Sequence, residues 1–325
     1  MCKPTLRDVY LAQQKIYPLA RQTPLLYSRG LSDRAETAVY LKLETVQEIG
    51  AFKIRGAANK ILSLTPDQQA RGVVTVSTGN HGRAVAYVAQ QMGLRAVVCM
   101  SEQVPAYKVA AIEQLGAELV ITGHSQDDAE EGANQLVAEQ GLTFIHPFDD
   151  PYIIAGQGTI GLELLQERPS LQTVIVPLSG GGLISGIGLV LKTADPACRV
   201  IGVSMERGPV MYHSLQAGRP LQLEELSTLA DSLQGGIGLD NRYTYQLVQQ
   251  VVDDVVLVSE AEIAAAMSFA FHEHHLMLEG GAAVGVAALL HGKIDKLTGE
   301  TAVILSGGNI KPTQLMGIVD GVEVY

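Results

Sequence analysis

Four short segments carry residue types that together do chemistry none of them does alone: Gly50-Ala51-Phe52-Lys53, Ser77-Thr78-Gly79-Asn80-His81-Gly82, Ser179-Gly180-Gly181-Gly182-Leu183 and Ser306-Gly307-Gly308-Asn309. Lys53 lies between Phe52 and Ile54, an apolar setting that lowers an amine's pKa and frees it to form an imine. Ser179 to Leu183 follows a β-branched run ending at Pro177 and precedes an apolar helical stretch. Its bare N–H groups therefore point at whatever anion rests on that helix's N-terminus, and phosphate is the natural occupant. Three successive glycines add chain entropy to the cost of folding, which packing alone does not explain. Ser77 to Gly82 sits at another strand-to-helix junction, where open α/β sheets bind ligands, and it offers hydroxyls, an amide and helix N–H groups to a carboxylate. Ser306 follows the last core strand and can aim a hydroxyl at a heterocyclic nitrogen. An amine, two anion cradles and a polar stop are the parts that hold a phosphorylated aldehyde. Plainer readings remain for each segment alone: an amphipathic helix start with Lys53 in solvent, or strand-to-helix turns rich in small residues.

These parts need elements to carry them, and the hydrophobic pattern supplies an α/β series. From residue 72 onward, short β-branched runs alternate with longer amphipathic stretches. Strands are predicted at 72–76, 95–100 and 118–122, with helices near 81–92, 105–115 and 125–140, the last with Ser125 as N-cap and acidic residues in its first turns. A second strand series follows at 173–176, 200–203, 255–258 and 301–305. Two strand sets imply two lobes, and His146-Pro147-Phe148-Asp149-Asp150-Pro151 is the expected crossing between them.

Bulk properties narrow the partners. With 325 residues, 47% of them hydrophobic, the chain can fill two lobes. The balance of 23 basic against 34 acidic residues gives −11, which repels nucleic acid and anionic membrane surfaces and leaves a small polar molecule as the expected partner. No apolar run approaches ~20 residues and the first residues lack the apolar segment of a signal peptide, so a cytoplasmic location is expected. Cys2, Cys99 and Cys198 are odd in number and far apart, so neither a disulfide framework nor a zinc ribbon is indicated. His272-Glu273-His274-His275 is not His-Glu-x-x-His, since position 276 is leucine, and reads as a polar helix face; no metal site is expected. His124, His213 and His291 lack ligand-spaced partners. The nucleoside-triphosphate motif Gly-x-x-x-x-Gly-Lys-Ser/Thr is absent, and the spacing through Ser185 and Gly186 breaks Gly-x-Gly-x-x-Gly.

Taken jointly and in this order, the segments resemble the fold-type II pyridoxal-phosphate enzymes, most closely the serine/threonine dehydratase and serine racemase group. The resemblance covers nearly the whole chain. It includes Thr23-Pro24-Leu25, Lys42-Leu43-Glu44, Phe52-Lys53-Ile54-Arg55-Gly56-Ala57, Gly79-Asn80-His81-Gly82, Ile154-Ala155-Gly156-Gln157-Gly158-Thr159, the glycine loop and Ser306-Gly307-Gly308-Asn309. It implies a two-lobed α/β fold of the tryptophan synthase β kind, each lobe an open, mostly parallel sheet covered by helices. Residues 1–65 and 150–325 would form a large cofactor-binding domain, and 70–145 a small mobile one. The implied cofactor is pyridoxal 5'-phosphate, and the implied assembly a homodimer or higher homo-oligomer.

Carried over residue by residue, the resemblance makes Lys53 the imine-forming lysine and the base at the substrate's Cα. Phe52 and Asn80 are cofactor-binding, with Asn80 at the ring hydroxyl. Backbone groups of Ser179, Gly180, Gly181, Gly182 and Leu183 hold the phosphate, and Ser306 faces the pyridine nitrogen. Ser77, Thr78, Gly79, Asn80 and His81 receive the substrate carboxylate. Thr78 stands where the racemase has a serine acting from the opposite cofactor face; its β-methyl crowds that proton transfer, so dehydration is expected over racemisation. A hydroxyl partner for the ring nitrogen also favours loss of a β-leaving group over transamination.

The chain departs from the family at several places. Ser179 replaces the first glycine of the phosphate loop, and Ala51 replaces the serine before Phe-Lys. Ser204 and Val210 stand where metal-activated relatives have acidic ligands, and Ala230-Asp231-Ser232 replaces Ala-Asp-Gly. Ser204-Met205-Glu206-Arg207 and Leu239-Asp240-Asn241-Arg242-Tyr243 resemble a subgroup assigned to hydroxyectoine utilisation, in which Arg207 or Arg242 would pair a polar or anionic group on a larger substrate. The expectation is a lyase that dehydrates a threonine- or serine-like β-hydroxy amino acid to a 2-oxo acid and ammonia. The alternatives are a dehydratase for a hydroxyectoine-derived amino acid, a serine racemase and a catalytically silent binding protein.

Overall fold

The computed structural model describes residues 3–321 apart from positions 78, 103, 105, 125, 296 and 298. Thr78, the expected N-cap Ser125, the start of the helix expected from Pro105, and Cys2 therefore lie outside the described residues. Among the described residues, ten strands build two sheets: β1 (Leu25–Tyr27), β2 (Val39–Leu43), β3 (Val73–Val76), β4 (Ala96–Met100), β5 (Glu118–Ile121), β6 (Thr143–Phe144), β7 (Thr173–Pro177), β8 (Arg199–Met205), β9 (Asp254–Val258) and β10 (Thr301–Leu305). One sheet runs β1-β2-β10-β7-β8-β9 and the other β5-β4-β3-β6. Every pairing is parallel except β1 with β2. The inner strands are buried throughout, as near-continuous apolar runs such as Val73-Val74-Thr75-Val76 and Thr301-Ala302-Val303-Ile304-Leu305 require when helices cover both faces.

The expected strands all form, with shifts of a residue or two at their ends. The sequence reading left out β1, β2 and the two-residue β6, whose short runs carry little alternation. β2 matters most, because β10 returns from the end of the chain to lie between it and β7, with Leu305 beside Leu43. That pairing places Ser306 next to the segment that leads into Lys53.

The smaller sheet packs through the helix Asn80–Met92 onto the helix Lys53–Ile61. Val73, Ala84, Val88, Val98, Ile54, Ala57 and Ile61 share one buried apolar cluster. The larger sheet buries Val303, Ile175 and Ile201 against Ala282, Ala283 and Val286 of the helix Gly280–Leu290. Its other face meets Ile184, Ile187 and Leu191 of the helix Gly182–Ala194. The helix Asn80–Met92 stops at Gly93, whose φ of 64° is the left-handed value that favours glycine. His272 and His274 occupy the last turn of the helix Glu260–His274, where a helix's negative end suits them, and His275 is its left-handed cap. Among the described residues, no helix is long and apolar enough to cross a membrane.

Candidate active site

A cavity of about 1610 Å³ opens between the two sheets, and all four chemistry-bearing segments contribute to its lining. Among the described residues, three helices begin at this cavity with no side chain capping their first turn, Asn80–Met92, Gly182–Ala194 and Gly280–Leu290, and a fourth, Lys53–Ile61, has only Gly56 N–H met by a side chain, Gln157 Oε1 at 3.2 Å. Each leaves backbone N–H groups without an internal partner at the positive end of its dipole. A fifth, Pro151–Glu167, is capped by Asp150, whose Oδ1 accepts from Tyr152 and Ile153 N–H. Uncapped N-termini meeting at one hollow make a receptor for anionic groups.

Lys53 is the first residue of its helix, and Gly50, at φ 73°, turns the chain into it. Phe52 N–H donates to Ser306 O at 3.0 Å, Gly308 N–H to Gly50 O at 2.9 Å, and Ala51 pairs with Gly307. The Lys53 start and the Ser306 segment are thus one laced unit, although distant in sequence. The ammonium donates to Pro147 O at 2.8 Å and lies 5.4 Å from the centre of the Phe52 ring. Burial draws its pKa down to about 8, against the pull of the Glu279 carboxylate. A large part of the amine is therefore unprotonated under mildly basic conditions.

Behind it, Arg55 is fully buried and gripped by two carboxylates. Nε and Nη2 donate to Glu44 at 2.8 Å each, and Nη1 and Nη2 donate to Glu163 at 2.6 and 3.0 Å. Lys42 completes the cluster, 2.8 Å from Glu163. Two cations and two anions, all out of solvent, tie the Lys53 helix to the end of β2 and to the helix Pro151–Glu167.

The glycine loop turns tightly into its helix, close against Phe148. Gly181 has φ 85°, and a Cβ on Gly180 would run into the Phe148 ring. Ser306 lines the cavity, and its hydroxyl has no hydrogen bond among the described residues, so it is available to a ring nitrogen. Asn80 is held at both ends: Nδ2 donates to Glu279 Oε1 at 2.7 Å, and Oδ1 accepts from Asn309 Nδ2 at 2.6 Å. His81 lies within 2.9 Å of Ile145 O, and burial holds its pKa down at about 3. It is neutral at working pH and brings no charge of its own to the cavity. Ser77 and Gly79 line the same wall, with Gly79 N–H donating to Ser77 Oγ at 3.3 Å. Arg242 also lines the cavity. Arg207 does not: it is exposed and donates to Ser227 O at 2.9 Å.

Sequence reasoning overlooked several groups. Glu279 is the cap residue before Gly280-Gly281, fully buried, and bonded to Asn80 and to Asn309 N–H at 3.2 Å. Burial, and then the Asp231 carboxylate, push its pKa up to about 7. A carboxylate between an apolar run and two glycines was the available signal. Asp149, from the 146–151 crossing, accepts N–H bonds from Arg242, Tyr243 and Thr244 at 2.7, 2.9 and 2.8 Å. It ties the 146–151 crossing to the segment that leads into the helix Thr244–Val251. The Arg83 side chain lines the cavity as well.

Residues 16–307 match the family model described as "Pyridoxal-phosphate dependent enzyme". The chain is 48% identical over 318 residues to a provisionally named threonine dehydratase of Sinorhizobium fredii, covering 98% of this chain and 96% of that one. It is 41% identical to the L-threonine ammonia-lyase of Thermotoga maritima, over 97% of this chain and 78% of the relative. Among solved structures, maize serine racemase superposes with a TM-score of 0.92 at 33% identity, over 98% of each chain.

Proposed function

Because the chain belongs to the pyridoxal-phosphate-dependent enzymes, we propose that it is a lyase that eliminates water from a threonine- or serine-like β-hydroxy amino acid, releasing a 2-oxo acid and ammonia. The observation that carries this reading is the buried, readily deprotonated Lys53 amine, set among uncapped helix starts and facing a cavity whose polar stop is the Ser306 hydroxyl rather than a carboxylate. The threonine dehydratase and threonine ammonia-lyase names of the relatives support the substrate class.

When bound, pyridoxal phosphate supplies an aldehyde for amines and an electron-withdrawing ring that acidifies Cα. Phe52, Asn80 and Ser306 would border its ring, and the N–H groups from Ser179 to Leu183 would hold its phosphate. Asn80, fixed by Glu279 and Asn309, would present its amide to the ring hydroxyl. Lys53 would supply the amine for the aldehyde in the resting enzyme and, once the substrate's amine has taken its place, its free Nζ would remove the proton from Cα. The N–H groups at the start of the helix Asn80–Met92, with Ser77, Thr78, Gly79 and His81, receive the α-carboxylate and orient the Cα–H bond toward Lys53. Hydroxide leaves from Cβ, and the released enamine hydrolyses to the 2-oxo acid and ammonia.

Residues 70–145, which contain all of the smaller sheet, form a mobile domain that closes over the substrate and excludes water; 1–65 and 150–325 form the cofactor-binding domain. A cytoplasmic location is supported by the free, buried thiols of Cys99 and Cys198. A homo-oligomeric assembly belongs to the same reading and is tested by sedimentation. The decisive experiment measures ammonia and 2-oxo acid release from threonine, serine, 3-hydroxyaspartate and hydroxyectoine-derived diamino acids, together with chiral analysis of residual substrate. A racemised substrate with no 2-oxo acid would replace elimination by racemisation, and no reaction in any member would leave a binding protein.

A further inference from the structure

Arg83 and Arg242 are cations of this cavity that the reaction leaves unused, and Arg83 is the more buried of the two. It sits three residues after Asn80 on the helix Asn80–Met92, so the two side chains share a face about 4.5 Å apart along the axis. Both line the cavity. Its Nε is buried, and no hydrogen bond or ion pair reaches it among the described residues. Burial lowers the pKa of the guanidinium, and the Glu279 carboxylate partly offsets this from beyond ion-pair distance. A buried N–H without a protein acceptor is costly, and native proteins complete such a group with water or a ligand; here the rest of the half-buried guanidinium is open to either.

Resting on the dehydratase reading, we infer that Arg83 selects the substrate's side chain: it takes an oxygen acceptor, a carboxylate or an amide carbonyl, carried by the β-carbon or the carbon beyond it. Two observations separate this role from holding the α-carboxylate. The uncapped N–H groups at the start of the same helix are the ones assigned to that carboxylate above, and Arg83 is the fourth residue of that helix, beyond them along the axis. The cavity lining also includes Ser101, Val104, Ala111 and Asn134, which none of the roles assigned above engages, so the hollow is not confined to the cofactor and α-carboxylate groups. Arginine suits the task because its planar fork reads carboxylates and carbonyls by paired hydrogen bonds. Arg242, more exposed than Arg83, is held among the described residues only through its backbone N–H at Asp149.

The test uses the cofactor-loaded enzyme with Arg83→Met, which keeps the length of the stem, and Arg83→Lys, which keeps the charge without the fork. Steady-state kinetics compare 3-hydroxyaspartate and 3-hydroxyasparagine with threonine and serine. Binding of the non-reacting analogues aspartate, asparagine and 2-aminobutyrate is read by calorimetry. The expected result is that wild type favours the acceptor-bearing substrates, and that Arg83→Met lowers their kcat/KM relative to threonine by about tenfold to a hundredfold, mainly through KM. Calorimetry should show the same loss for aspartate and asparagine but not for 2-aminobutyrate, with partial recovery in Arg83→Lys for the carboxylates. An equal loss on all substrates and analogues would assign Arg83 to the α-carboxylate and overturn the inference. So would an unchanged order of preference in Arg83→Met. Failure of wild type to release ammonia from any of the four substrates would instead overturn the dehydratase reading, an outcome distinct from both.

Discussion

Replacing Arg55 with methionine removes the cation on which two buried carboxylates depend. In the native chain Arg55 and Lys42 balance Glu44 and Glu163, and all four side chains are fully buried. After the change Lys42 still neutralises Glu163 at 2.8 Å, while Glu44 keeps only neutral donors, Thr23 Oγ1 at 2.7 Å and Gln47 Nε2 at 3.2 Å. Breaking a buried pair in this way costs about 3–5 kcal/mol, and the two neutral donors place the expected loss nearer about 3. Burial works to raise the Glu44 pKa, but the Arg55 charge and its hydrogen bonds overcome this and leave it below the ordinary value. Its contribution is therefore present above the unfolded carboxylate's pKa, about 4.3, and fades as pH falls through the lower folded value. In Arg55→Met the orphaned Glu44 shifts the other way, so the penalty shrinks from pH 7 to pH 5. The chain has no tryptophan, so urea unfolding is followed by circular dichroism. Adding Glu44→Gln to Arg55→Met should recover at least about 1 kcal/mol by discharging the orphan. A penalty below about 1 kcal/mol at pH 7, or one that grows on acidification, would refute the reasoning.

Lys53→Ala should abolish the imine absorbance near ~410–420 nm and lower turnover by at least about a thousandfold, read by absorption and by ammonia release. In wild type, the rate at which the cofactor-free protein takes up the aldehyde should climb with pH through about 8, because only the unprotonated amine reacts. Glu279, raised to about 7 by burial, makes the cofactor-free fold lose stability as pH rises from about 4.3 through 7. Glu279→Gln should remove that slope and gain up to about 3 kcal/mol above pH 7, measured by urea unfolding across pH. Asp149→Ala strips three N–H groups at 242–244 of their acceptor; a loss of about 1–2 kcal/mol and a raised KM are expected from unfolding and kinetic measurements.

Local pattern alone determined the β-branched runs at 73–76, 173–177 and 301–305, the glycine bend before an apolar helix, and the apolar setting of Lys53. Each depends on neighbours within a few residues, where periodicity and glycine's conformational freedom are written directly in the chain. The charge of −11 and the absent nucleotide motifs are likewise properties of the chain that need no fold to be read. Only the tertiary structure decided that β10 lies between β2 and β7, and so that Ser306 is laced to Phe52. It also decided that Glu279 and Asn309 clamp Asn80 from 199 and 229 residues away, that Arg55 is enclosed by Glu44 and Glu163, and that Arg83 rather than Arg207 lines the cavity. A charged side chain gives no local sign of burial, because the same Arg or Glu on a helix face is ordinarily solvated. What commits it to the interior is a partner brought up by a distant strand or helix, and that pairing exists only once the sheets are assembled.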